Sequence, residues 1–241
     1  MKRAPVIVGS AIVLAAASAA PHKVHHKTAA LDFSFEWPRE AAAIPKLDLQ
    51  LYGEAKRKLA EAQTNAQDDQ SAARQQKRQF HQHSFSMKWR AVGISPRLLS
   101  LRNQLRTFTG GAHPNTGYGS LLWDRRAGKQ IAVSALFLRS EAFGAVMRGR
   151  YCSALNAERA RRRQGEKFGG DFDQCPKFSD LAIAPFDRNN NGRFETIEFI
   201  ASPYTAGPYA EGEYEISLPV TSELIRGVRP EYRDSFERQR Q

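Results

Sequence analysis

Few residues in this sequence have both the type and the spacing to do chemistry, and the first is His113. It stands in "TFTGGAHPNTGYGSLLWD", residues 107–124, between two strand-like runs. A histidine in a tight corner can be a general base or a metal ligand, but either role needs company. Acyl-transfer chemistry needs an activated nucleophile, and the chain offers no G-x-S-x-G elbow. A zinc hydrolase needs further ligands. The chain has six histidines, and three of them, His22, His25 and His26, crowd near one end. His81 and His83 form an H-x-H pair at a strand start, a weak signal alone. Gly110 and Gly111 permit backbone angles that a side chain forbids, and Pro114 confines the residue before it to extended geometry. The corner formed by Gly110, Gly111, Ala112 and Pro114 is therefore read as a rigid chain reversal. His113 is a candidate for ligand contact and not for catalysis.

Two further groups carry chemistry in principle. Cys152 and Cys175 are the whole cysteine inventory. An even count suits one disulfide in an oxidising compartment, worth about 3 kcal/mol by loop-closure entropy; two free buried thiols are the alternative. Neither cysteine has a second Cys or His at ligand spacing, so no zinc site is expected. In "DRNNNGRFETIE", Asp187, Asn189, Asn191, Gly192 and Glu198 match the D-x-[DN]-x-[DN]-G-x5-E spacing of a calcium loop. Phe194 stands where such loops prefer an aliphatic residue, and the flanking runs read as strands. Asn-Gly between strand patterns is a strong hairpin signal. A hairpin is the preferred reading. Calcium at Asp187, Asn189, Asn191 and Glu198 stays as the alternative, and no other cofactor is expected.

These residues must be held by elements that the sequence outlines. Leu31, Phe33, Phe35 and Trp37 alternate with polar residues, which predicts a half-buried strand. From Pro45 a helix is predicted, with Leu47, Leu51, Ala55, Leu59, Ala62 and Ala66 at three- and four-residue steps. Beyond Thr64 it turns polar and is expected to project or fray. "HSFSMKWRA" and "LLSLRNQLRTF" alternate on either side of a Pro-containing turn and predict an antiparallel hairpin. "YGSLLWD" and "QIAV" predict another. A second long helix, capped by Ser140, is expected from Glu141 to about Gln164, burying Phe143, Val146, Met147, Tyr151 and Leu155. Three more strands ("LAIAPFD", "FETIEFI", "EYEISLP") and a short helix complete the chain. The class is α+β: antiparallel sheet hairpins packed with two long helices.

The ends and the charge speak to compartment and partner. Residues 1–19 have the layout of a secretory signal peptide: Lys2 and Arg3, an apolar stretch from Val6 to Ala17, then small residues. Cleavage after Ala19 is favoured, because a cut after Ala20 would leave Pro21 first. Nothing else in the chain is long and apolar enough to cross a membrane. The mature protein is expected to be exported, periplasmic or extracellular. Residues 20–30 read as a flexible basic lead and residues 227–241 as a loose charged tail. The formal charge of +11 falls to about +9 without Lys2 and Arg3, and the run "RARRR" from Arg159 to Arg163 supplies much of it. Such a balance favours anionic partners. Nucleic acid is not expected, because no nucleic-acid-binding motif accompanies the charge.

Two stretches together carry a family likeness. The run from "LLSLRNQLRTFTGGAHP" to "DRRAGKQIAVSALF" resembles one domain, and "IEFIASPYTAGPYAEGEYEISLP" resembles its usual C-terminal companion. Paired domains of this kind, of unknown function, occur in the extracellular part of the lysozyme-sensing anti-sigma factor and beside the catalytic domain of a peptidoglycan deacetylase. The resemblance implies a domain over residues 31–138 with the T-G-G-A-H-P motif and a companion over residues 139–226 with the P-Y-A-x-G motif. It implies the sensing or binding module alone, with neither an anti-sigma segment nor a deacetylase domain. The expected function is an exported, non-catalytic binding or sensing module of the cell envelope, with a wall glycan or an envelope protein as partner. Tyr204, Tyr209 and His113 are the candidate contacts. A lysozyme-binding protein is one alternative, although common animal lysozymes are also basic. A wall-polymer hydrolase is the other.

Overall fold

Alternation builds the larger sheet. In the computed structural model, which describes residues 22–239, strands β1 (His22–Lys27) and β2 (Leu31–Trp37) lead through a one-turn helix α1 (Arg39–Ala42) into the long helix α2 (Pro45–Gln75). Strands β3 (His83–Ile94), β4 (Leu98–Phe108), β5 (Asn115–Asp124) and β6 (Lys129–Ile131) follow. The six strands lie in chain order. Neighbours are antiparallel except β2 and β3, which are parallel because α2 carries the chain back across the sheet. Phe33, Phe35, Trp37, Met87, Trp89, Leu99, Leu101, Leu121 and Trp123 bury one sheet face against Leu47, Leu51, Ala55 and Leu59 of α2. Each such side chain contributes about 1.5–3 kcal/mol on leaving water.

The smaller half repeats the scheme with less sheet. Helix α3 spans Ser140–Arg162, with Arg139 rather than Ser140 at its N-cap. Strands β7 (Ala182–Phe186), β8 (Thr196–Ala201) and β9 (Tyr214–Pro219) form an antiparallel sheet, and α4 (Ser222–Gly227) follows. Phe143, Met147, Tyr151 and Leu155 of α3 pack with Phe199, Tyr214 and Ile216. The Cys152–Cys175 disulfide, with Cα atoms 5.5 Å apart, ties the following loop back to α3. Leu98 and Leu122, from the far face of the larger sheet, join this second core, so the halves share apolar contact.

Three expectations are corrected. Most of the segment read as a flexible lead, His22–Lys27, is β1, an edge strand with no apolar alternation of its own. The ladder to β2 holds it, helped by Lys23–Glu36 at 2.9 Å and Lys27–Asp32 at 3.0 Å. The polar end of α2 neither projects nor frays. It stays helical to Gln75 because Ala66 and Ala73, both fully buried, present small side chains seven residues apart to the fold. The tail is not loose. Tyr232 and Phe236 are buried, Phe194 N–H donates to Ser235 O, and the Tyr232 hydroxyl donates to Asp124 Oδ2 at 2.9 Å. The signal segment, residues 1–19, lies outside the described residues together with positions 20 and 21. Among the described residues no helix is long and apolar enough to cross a membrane.

Candidate functional site

The corner between β4 and β5 brings the three candidate contacts together. Gly110 takes a φ of +83°, a left-handed angle suited to glycine; Gly111, expected to need the same freedom, does not use it. The turn leaves His113 exposed, where its ring stacks on Tyr209 with centroids 3.8 Å apart and planes 21° from parallel. The Tyr209 hydroxyl donates to Pro114 O at 2.7 Å, and His113 Nδ1 lies 3.0 Å from the same carbonyl. Tyr204 extends the group, its ring 5.6 Å from that of Tyr209. It is 55% exposed and sits at a φ of +71°, a costly angle for a bulky residue, in a turn closed by its N–H to Gly207 O. The result is a three-ring platform with polar edges, built from loops of both halves on rigid strands. Such rings offer flat, partly apolar faces with little rotamer entropy to lose.

The calcium-like residues do not converge. Asp187 accepts from the backbone N–H groups of Asn191 (3.1 Å) and Gly192 (2.9 Å), and Asn189 Oδ1 accepts from Asn191 N–H at 3.0 Å. The carboxylate and amide thus shape the β7–β8 turn, with Gly192 at a φ of +84°. Glu198 lies further along β8, opposite Ala184, and turns to the larger sheet. There it accepts from Arg102 Nη1 at 2.5 Å, and the same nitrogen reaches Glu215 at 3.2 Å. Burial and the neighbouring Glu215 push the Glu198 carboxyl up to about 7. The hydrogen bond from Glu198, with Arg102 beside it, holds Glu215 below the usual carboxylate range.

The H-x-H pair is divided in the same way. His83 is buried, 3.1 Å from Asp69 of α2 and packed against Phe80, whereas His81 is exposed before β3 begins. Among the described residues no group of three or more His, Cys, Asp or Glu side chains is placed to hold a metal ion.

The arginine run supplies much of the charge that favours anionic partners, yet most of it is engaged within the fold. Arg163 is buried. Its Nε and Nη2 bind Glu211 at 2.6 and 2.9 Å, and its Nη1 binds Asp173 at 2.6 Å. Glu211 in turn accepts from the Tyr214 hydroxyl. Arg159, also buried, donates to the carbonyls of Ala206, Asp173 and Gln174. Arg161 and Arg162 grip Glu158 and hold its carboxyl down to about 2. A signal was present in the sequence: Phe143, Met147, Tyr151 and Leu155 recur every four residues, and the same step continues to Arg159 and Arg163. The buried stripe of the helix simply changes chemistry.

The comparisons place this geometry among known folds. Residues 24–116 match a family model described as deacetylase PdaC. No curated protein matches the sequence. Among solved structures the fold is similar to a DUF3298 family protein from Pseudomonas aeruginosa PAO1, at 18% identity and a TM-score of 0.56 over 92% of this chain and 96% of that one. It is also similar to a DUF3298 family member from Bacteroides fragilis NCTC 9343, at 16% identity and a TM-score of 0.51 over 87% and 92%. These likenesses define the class as an α+β domain of unknown function. Within it, residues 24–116, including the histidine corner, are the part similar to the PdaC family model, and the fold of the whole is similar to that of the two DUF3298 structures.

Proposed function

We propose that the protein is an exported, non-catalytic binding module of the bacterial cell envelope, and that it takes a wall glycan on the His113–Tyr209–Tyr204 platform. The observation that carries this reading is the stack itself. The exposed imidazole spends one face on a tyrosine ring and its Nδ1 on a backbone carbonyl, which suits a contact surface better than a proton-transfer site. The strained, solvent-facing Tyr204 supports it, because strain of this kind collects at sites of function.

Co-sedimentation of the full chain with insoluble peptidoglycan tests it. Saturable binding is expected, weakened about tenfold in Tyr204→Ala, in line with the ~1.4 kcal/mol that a contributing aromatic contact represents. Equal binding by Tyr204→Ala and His113→Ala, with unchanged melting temperatures, would remove the platform from the function. The name of the matched family makes acetate release the activity to measure alongside. Turnover by the wild type that His113→Ala abolishes would overturn the non-catalytic reading.

A further inference from the structure

We propose that the exposed part of the larger sheet's outer face, beside the part covered by the smaller half, binds an anionic polysaccharide along β3 and β4, which deepens the glycan reading above and rests on it for the choice of a sugar polymer. The register lays out this face in rows. Ser34, Ser86, Arg106 and Thr116 are cross-strand neighbours, as are Glu36, Lys88, Gln104 and Tyr118 in the next row. Arg90, Arg102 and Ser120 form the third. The opposite face holds the core, so these side chains all point away from α2. Ser86, Lys88, Arg90 and Arg106 are exposed.

The cations on this face differ in how they are satisfied. Lys88 has Glu36 at 3.6 Å, and Arg102 has Glu198 and Glu215. Arg90 and Arg106 have no ion pair, hydrogen bond or ring contact among the described residues. Arg90 also stands directly across from Arg102, and like charges at opposed strand positions destabilise a sheet. Glu198 and Glu215 already meet the charge of Arg102, so it is Arg90 whose charge is left for a bound anion. Arg106 lies four residues along β4 from Arg102, about 13 Å at the usual strand rise. One small anion cannot reach both ends, whereas a polymer with repeated charge can. The Ser86 and Thr116 hydroxyls lie between, beside Gln104, whose amide donates to the Tyr118 hydroxyl at 2.8 Å, a polar row suited to sugar hydroxyls. The row containing Arg106 ends at Thr116, two residues beyond Pro114, so the track runs into the His113 platform.

Binding of the full chain to polygalacturonate, a uronate polymer, tests the assignment. The arms are neutral dextran, poly(dT) and phosphatidylglycerol vesicles. Arg90→Gln/Arg106→Gln is compared with Lys56→Gln/Arg57→Gln, which removes the same charge from exposed positions on α2. The first pair is expected to weaken polygalacturonate binding at least tenfold and to flatten the log–log salt dependence by about two charges, while the second pair stays within twofold. Equal losses from both pairs would overturn the proposal, since net charge alone would then account for binding. Tighter, Arg90- and Arg106-dependent binding to poly(dT) or to vesicles would also overturn it. Tyr204→Ala in the same assay separates this proposal from the platform. If it alone weakens binding, the arginine track falls and the platform stands. If the arginine pair alone weakens binding, the platform falls and the track stands.

Discussion

Arg163 and Arg106 carry the same side chain in equally basic stretches, yet the fold uses them in opposite ways. Arg163 ends the buried stripe of α3, and three carboxylate contacts plus the Phe172 and Ala206 carbonyls satisfy its guanidinium. Its charge is spent inside the smaller half. Arg106 projects from an alternating strand whose other face is core, and solvent covers it. The same contrast runs through both halves. The larger half is closed by apolar side chains, with α2 laid along a wide sheet. The smaller half has only three strands and adds an arginine hub and a disulfide. Net charge read from a sequence therefore overstates binding charge wherever arginines continue a buried helical stripe.

The largest expected effect breaks the hub. Arg163→Ala strips a buried cation from Glu211 and Asp173 and leaves Glu211 beside the Tyr214 hydroxyl with its countercharge gone. Removing one partner of a buried pair costs about 3–5 kcal/mol. Arg106→Ala is expected to stay within about 0.5 kcal/mol. Urea unfolding of the two variants measures the contrast, and equal midpoints would erase it. Arg163→Lys should rescue little, because a single ammonium cannot reproduce the forked contacts. The hub also shapes acid stability. Arg163 holds the Glu211 carboxyl below its ordinary range, so its contribution is present above that range and lost as pH falls through the lowered value.

The disulfide is the next support of the smaller half. Cys152→Ser/Cys175→Ser reopens a loop closed across a sequence separation of 23, at a cost of about 3 kcal/mol by the chain-entropy relation. Hydrogen exchange is expected to rise in β7–β9 and the residue 164–181 loop, while β2–β5 amides keep their protection. Uniform loss across both sheets would mean that the halves unfold as one unit and that the division of labour is only geometric.

What was legible in the sequence follows the same division. Alternation fixed the faces of β2, β3 and β4, and with them the core and the outward row of Lys88 and Arg90 beside Met87 and Trp89. Four-residue spacing found the first turns of α2 and α3. Strand β1 was invisible because an edge strand is defined by the ladder it joins, and the burial of Ala66 and Ala73 needs a partner surface that no local pattern announces. His113, Tyr204 and Tyr209 each stood out as aromatic or imidazole residues on loops. Their contact is set by topology, since Tyr209 reaches Pro114 across 95 residues. The calcium spacing was legible too, but β8 carries Glu198 to Arg102 while the turn's own N–H groups take up Asp187.

Glu198 offers the smallest and most local test of how charge is used inside against outside. Its side chain is 1% exposed, wedged between Arg102 and Glu215 where the two sheets meet. Burial raises its affinity for a proton in the folded state above that of the unfolded chain. The sign follows: its stabilising contribution is fully present below the ordinary carboxyl value of 4.5 and is lost as pH rises to about 7. Glu215, held low, changes its contribution only below its ordinary value of 4.5, so between there and pH 7 the loss belongs to Glu198 and is on the order of 1–3 kcal/mol. Glu198→Gln keeps the shape and an oxygen for Arg102 but cannot ionise. Its stability between pH 4.5 and 7.5 should therefore decline less than that of the wild type, by that amount, in urea titrations across the range. Parallel curves would mean that Arg102 keeps Glu198 ionised in the folded protein, and that even this buried carboxylate behaves like those on the open face.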